Sequence, residues 1–376
     1  MRKFPVYLAT AGFLLGVGVP LAHAQVPTPT NVPGIAVVAA PPPGFDPVAA
    51  SPAKRSQYAI PPMPDRAAAP AAYQQWLKAV SGPQNRAATP VLSHTNIYNG
   101  PIRDKSAGAP VQPGNNNVGS IPSNGIEATS NNVVQVTTSN WSGPSIVSSG
   151  APFALEAIVG EFVVPTAHQP FGQCTGNWVY SSQWAGIDGN NSNDVLQAGV
   201  EVDAYCNNSV TATAYSAWIE WYPFAETQVS SPAIHPGDLI YVQVWNTSST
   251  AAYAYFYNYS TQETATYRFT APSGVTLRGN SIEWIVERPS LGVSLARLTN
   301  YIDVSWPWNV AWNYQASAPI YHYPGDLSIA APFTLDLITM LGNGGNAISY
   351  GSPQNLGFLY FEDTAGPHGT GPQRAI

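Results

Sequence analysis

Residues 131–376 contain no lysine, and the whole 376-residue chain has only two cysteines, three methionines and 9% charged residues. Without a basic face, no nucleic-acid partner is expected. Two cysteines with no CxxC spacing, and no paired histidines near them, exclude the usual zinc sites, so no metal or other cofactor is expected. Beyond the N-terminus no apolar run approaches about 18 residues, which excludes a membrane-spanning helix. Catalytic signatures are missing as well. There is no Asp-Thr-Gly or Asp-Ser-Gly pair, no HExxH and no GxSxG elbow. His168, His235, His322 and His368 fall in loop-like or proline-flanked contexts and point to no triad.

What is present divides the chain into three parts. Residues 1–24 read as an export signal: Arg2 and Lys3, an apolar stretch from Phe13 to Leu21, then Ala22-His-Ala24 before Gln25. An extracellular protein follows from that reading. In an exported chain, the even cysteine count predicts a disulfide between Cys174 and Cys206. Residues 25–130 hold 18 of the 36 prolines, with much Ala, Ser, Asn and Gly. They read as a pro-segment or a spacer, largely irregular and unable to bury a sizeable core alone. One short amphipathic helix is predicted over 67–80, around Tyr73, Trp76 and Leu77. Gly114–Asn117 and Ser120–Gly125 read as a connector.

From residue 131 onward, short alternating runs rich in Val, Ile, Thr, Tyr, Trp and Phe are separated by Gly/Pro/Asn turns. Examples are 156–164, 178–185, 212–222, 239–246, 251–259, 264–270, 282–287 and 333–340. The pattern predicts an all-β fold, one antiparallel two-sheet β-sandwich with an outer face forming a cleft. Charge is divided just as unevenly. Residues 25–130 carry +3, and 131–376 carry −12. A folded part with few cations gains little net positive charge as its carboxylates protonate, which limits the self-repulsion behind acid unfolding. Such a composition suits low pH.

Three strands carry unusual polar faces. In Leu196–Val202, Gln197, Gly199 and Glu201 share one face and four apolar residues the other. In Trp218–Tyr222, Trp218, Glu220 and Tyr222 oppose Ile219 and Trp221. In Glu283–Glu287, Glu283, Ile285 and Glu287 oppose Trp284 and Val286. Convergence of these strands would bring an amide and several carboxyls onto one surface. A solvated outer face fits the same alternation. A Trp-rich, carboxylate-lined sandwich would also suit a carbohydrate-active or carbohydrate-binding protein, and the discriminator is Gln197, because glycosidases need two carboxylates.

These segments resemble the glutamic peptidases, or eqolisins, acid-acting endopeptidases on a concanavalin-like β-sandwich. The resemblance runs in order through Ser139-Asn-Trp-Ser-Gly143, Gly160–Pro165, Trp184-Ala-Gly-Ile-Asp-Gly189, Leu196-Gln-Ala-Gly-Val200, Ala217–Pro223 and Glu283-Trp-Ile-Val-Glu287. It implies Gln197 and Glu287 as catalytic residues, with Trp141, Trp184, Asp188, Glu201, Trp218, Glu220, Tyr222 and Glu283 in support. Two positions depart from the pattern: Glu201 replaces an Asp, and Arg288-Pro289 stands where another acid is usual. The implied substrates are polypeptides, handled by a monomer with no membrane partner. The +3 segment is then expected to lie across the acidic cleft as an inhibitor, held by charge and released as carboxylates protonate.

Overall fold

The structure, a computed structural model, describes residues 27–82, 90–110, 130–170, 174, 176–208 and 210–363. The export signal and the 114–125 connector lie outside the described residues. Two large antiparallel sheets, of eight and fourteen strands, pack face to face, with a small three-stranded sheet beside them. One strand pair is parallel, Val133–Thr138 against Phe333–Leu341. Among the described residues of 131–363 there is no helix.

Alternation decides what lies between the sheets. Leu196, Ala198, Val200 and Val202, together with Ile219, Trp221, Ile282, Trp284 and Val286, enter the shared core. From the other sheet they meet Ile240, Val242, Val244, Ala252, Ala254 and Phe256. Branched and aromatic side chains at every second position fill this interior, as sheet-on-sheet packing requires. The Asp303–Trp306 and Trp308–Trp312 strands carry an aromatic stretch whose Trp306 and Trp312 are 0% and 1% exposed. Trp306 stacks obliquely on Phe162 and Phe361 inside the core.

The N-terminal segment is built into the sandwich. The predicted helix is present at Pro70–Ser81. Together with Pro52–Gln57 it belongs to a segment that covers the outer face of the eight-stranded sheet. There Val38, Ala59, Ala69, Ala72 and Ala79 cluster with Tyr241, Trp245, Tyr255, Tyr257 and Trp312. Ile35–Val37 adds a strand beside Tyr267–Phe269, and Leu92–His94 adds one beside Thr227–Val229 at the edge of the other sheet. The expected open cleft is therefore occupied. Around Gln197 and Glu287 the outer face of the fourteen-stranded sheet is covered by the segment that begins at Asn99.

Cys174 and Cys206 form the expected disulfide, with a Cα–Cα distance of 5.0 Å. It ties the loop before Trp178 to the end of the Leu196–Asn207 strand.

Candidate active site

Four adjacent strands set the site: Ser281–Glu287, Ser182–Ile187, Leu196–Asn207 and Val210–Trp221. Their register forms three rows. Glu287, Ser182 and Glu201 lie side by side; Ile285, Trp184, Gly199 and Trp218 form the next row; Glu283, Gly186, Gln197 and Glu220 form the third. Because side chains alternate with period two, all of these share the outer face. Gln197 and Glu287 are on the same side of the sheet, with the Trp184 strand between theirs.

Two glycines allow this row structure. A Cβ on Gly199 would meet Gln183 O at 2.2 Å and Trp184 Cβ at 2.6 Å. On Gly186 it would meet the Trp184 ring at 2.9 Å and Gln197 Cβ at 3.0 Å. Both positions must be bare for the Trp184 indole to lie across the sheet. Trp184, Trp141 and Trp218 then form one buried cluster with Val195 and Ile285, and Tyr222 packs against it.

Glu287 is 1% exposed and is met by three N–H donors. Trp141 Nε1 and Trp184 Nε1 both donate to Oε2 at 3.0 Å, and Asn140 Nδ2 donates to Oε1 at 3.1 Å. Burial pushes the Glu287 carboxyl well above its usual range, while these donors and the Arg103 charge pull it back. Arg288, the departure from the acidic pattern, turns away from the carboxyl. It donates from Nη2 to Ser139 O at 2.7 Å and holds the turn that presents Asn140.

Residues 99–103 cross this face. Gln197 Nε2 donates to the Asn99 carbonyl oxygen. Trp141 Nε1 also donates to Gly100 O at 3.1 Å, so one indole joins Glu287 to the next carbonyl along. Asn99 N donates to Glu220 Oε2 at 3.0 Å, and Asn99 Nδ2 to Glu226 Oε2 at 3.1 Å. Beyond them Asn140 Nδ2 donates to Pro101 O, Arg103 N to Asn140 Oδ1, and Ile102 N to Gly189 O. Tyr222 lies over Gly100, where a Cβ would meet its ring at 3.1 Å.

Carboxyls crowd one end of the face. Glu201, Asp203, Glu220 and Glu226 are all buried, and burial pushes each well above its ordinary pKa. Charge repulsion adds to this: Asp203 raises Glu201, and Glu201 raises Glu226. Ser182 Oγ donates to Glu201 Oε1, which supports the longer side chain at this position.

Two expected supporting residues stand apart. Asp188 accepts from the backbone N–H groups of Arg278, Gly279 and Asn280 at 2.6–3.1 Å, so it anchors a loop. Glu283 lies on the correct face, but its carboxyl accepts from Ser145 Oγ at 3.2 Å in a separate polar cluster near Asn190. Four contributors were not singled out from the sequence. Asp203 continues the Gln197–Glu201 face by one more alternation and was accessible that way. Asn140 lies inside the quoted Ser-Asn-Trp segment. Asn99 and Glu226 sit in non-repetitive stretches that carry no periodic signal.

Residues 139–318 match the model of the Peptidase A4 family. Aspergillopepsin-2 of Aspergillus niger is 30% identical over 184 residues, which cover 45% of this chain and 62% of that relative. The chain thus spans about three-fifths of the relative's length. Among solved structures, scytalido-glutamic peptidase with a peptide-based transition-state analog is similar at 21% identity and a TM-score of 0.46, covering 60% of this chain and 98% of that one. Aspergilloglutamic peptidase from Aspergillus niger is similar at 26% identity and a TM-score of 0.41, covering 50% and 99%.

Proposed function

We propose that this chain, which belongs to the Peptidase A4 family through residues 139–318, is an exported, acid-acting endopeptidase made as a pro-enzyme. Glu287 is its general base and acid, and Gln197 its oxyanion donor. One observation carries this reading. A peptide segment already lies across the site with the Asn99 carbonyl oxygen on the Gln197 amide, and the Trp141 indole links the next carbonyl to Glu287.

The chemistry follows from the groups present. Ionised Glu287 takes a proton from a water whose oxygen adds to the scissile carbonyl carbon. Negative charge grows on the former carbonyl oxygen, where the Gln197 Nε2–H stabilises it. Collapse breaks the C–N bond, and Glu287 returns its proton to the departing amine. An amide donor stays neutral at every pH, so the oxyanion site does not fail in acid. Three fixed N–H donors orient the Glu287 carboxylate and favour its charged form, and departure of the covering segment lets water reach the carboxyl and relieves the burial that raises its pKa. Buried Glu201, Glu220 and Glu226 close one side of the site and are neutral in acid, where they can accept from peptide N–H groups without adding charge.

Residues 25–130 serve as the pro-segment, and the stretch from Asn99 to Arg103 holds the enzyme latent by filling its cleft. Export through the N-terminal signal places the active protein outside the cell, as a monomer acting on polypeptides.

Casein digestion at acid and neutral pH, with and without pepstatin, tests the reading. Digestion confined to roughly pH 2–5 and indifferent to pepstatin is expected, because no aspartate pair is available to that inhibitor. Gln197→Ala and Glu287→Ala should each abolish it while the fold is retained by circular dichroism. Full activity in both variants, or greatest activity at neutral pH, would overturn the assignment.

A further inference from the structure

We infer that Glu226 selects asparagine at the residue supplying the scissile carbonyl, and that Asn99–Gly100 is the bond at which this chain first cuts itself. The inference rests on the peptidase reading and adds to it a substrate preference and a processing site.

The placement of Asn99 supports it from three directions. Its carbonyl oxygen is on Gln197 Nε2, its backbone N–H is on Glu220 Oε2, and its side-chain amide is on Glu226 Oε2. Gln197 and Glu220 face each other across adjacent strands, so two backbone groups of one residue are gripped by a cross-strand pair. That grip is indifferent to the side chain. The side-chain amide is read chiefly by Glu226, at 3.1 Å, with the Glu220 carboxyl also in its reach. Asn99, Glu220 and Glu226 are at most 1% exposed, so water does not replace a lost partner easily. A residue without a donor here would leave a buried carboxyl oxygen unpaired, the situation in which a site rejects an analogue most strongly. Gly100 fits the position beyond the bond, where the Tyr222 ring leaves no room for a Cβ without a shift.

The anchors on either side suit cleavage at this point. Ile97–Tyr98 is strand-paired to Ser290–Leu291, and Leu92–His94 to Thr227–Val229. Downstream, Ile102 and Arg103 are bonded to Gly189 and Asn140. The peptide is therefore fixed on both sides of one carbonyl. In the step itself, water oxygen bonds to the Asn99 carbonyl carbon and gives a proton to Glu287. The C–N bond to Gly100 then breaks and its electron pair stays on the Gly100 nitrogen, which takes the proton from Glu287. The products are a carboxyl group on Asn99 and a free amine on Gly100.

The test uses the full chain, purified at neutral pH, shifted to acid, and followed by intact mass and N-terminal sequencing. A new N-terminus at Gly100 is expected, with Glu287→Gln remaining whole and Asn99→Leu slowing that cut at least about tenfold. Peptide pairs identical except for Asn or Leu before the bond then give a ratio of kcat/KM. The ratio should favour Asn at least about tenfold in the native enzyme and fall to near one in Glu226→Leu. Being a ratio, it is insensitive to how much of the variant is folded; for a variant with no measurable activity, Glu226→Gln, which retains an accepting oxygen, should keep the preference. Casein digestion with Asn99–Gly100 intact, or a ratio unaltered in Glu226→Leu, overturns this inference alone. A chain that digests neither itself nor casein overturns the peptidase reading, and the inference falls with it.

Discussion

Lys105 Nζ lies 2.9 Å from Asp336 Oδ2, and among the described residues this is the one ion pair made by a lysine or arginine side chain. The positively charged N-terminal segment is therefore held on the acidic sandwich mainly by hydrogen bonds and apolar packing. That differs from the expectation of a segment held by charge and released on protonation. The reason is local: the carboxyls beneath residues 99–100 are buried and accept from neutral N–H groups, and burial favours their neutral forms.

On the pro-enzyme reading proposed above, replacing Lys105 by methionine should thus leave the chain latent at neutral pH. Asp336 keeps a 2.9 Å bond from Asn190 Nδ2, so the loss is about 1 kcal/mol, the scale of a partly exposed pair. Basal casein hydrolysis by the variant should rise less than about tenfold. Latency that collapses in Lys105→Met, or in 1 M salt, would restore the charge-gating account.

Glu161 makes the opposite pH argument testable on the other sheet. It is 3% exposed beneath the N-terminal helices, and burial raises its pKa from 4.5 to about 7, against the pull of Lys78 and Tyr259. A folded-state pKa above the unfolded one contributes stability that is complete below pH 4.5 and is lost as pH rises through about 7. Glu161→Gln should then stabilise the full chain at pH 8 by up to about 3 kcal/mol and leave it unchanged at pH 4. Urea midpoints at the two values measure this directly; equal shifts at both would contradict it.

The faces of the site strands were legible because period-two alternation separates Gln197, Glu201, Trp218, Glu220 and Glu287 from Leu196, Ile219, Trp221 and Trp284 without knowledge of any partner. The sandwich follows from the same signal repeated along the chain. What alternation does not carry is adjacency. Glu283 and Glu287 share a face and a strand, yet register puts one beside Gly186 and Ser145 and the other beside Ser182 and Trp141. Contacts between Asn99 and Glu226, 127 residues apart in non-repetitive segments, leave no local trace at all. The docking of residues 27–82 and 90–105 was hidden for a related reason. Their proline and alanine content cannot build a core alone, but Tyr255, Tyr257 and Trp245 on the outer sheet face complete one.

Gly199→Ala tests the packing that supports Trp184. The added Cβ would meet backbone, Gln183 O at 2.2 Å, so neither rotamer change nor side-chain movement relieves it. Destabilisation of about 1–3 kcal/mol is expected, visible as a lower denaturant midpoint. The same substitution at Gly237, where nothing lies within 4 Å, differs in kind: its cost comes from the positive φ of +86° alone.

Trp184→Phe isolates one donor to Glu287 while keeping most of the ring. The native indole bonds Oε2 at 3.0 Å, and a hydrogen bond to a charged group contributes about 1.5–3 kcal/mol. Its loss removes one of the donors that hold the Glu287 pKa down, so that pKa moves further up. With Glu287 as the proposed general base, which works when ionised, the acid limb of kcat/KM must move to higher pH. Activity at the acid end of the range falls, while at pH values above the new limb it approaches the native rate. A pH profile of the variant lowered equally at every pH would show instead that the indole only holds the fold, and would remove Trp184 from any part in setting the protonation of Glu287.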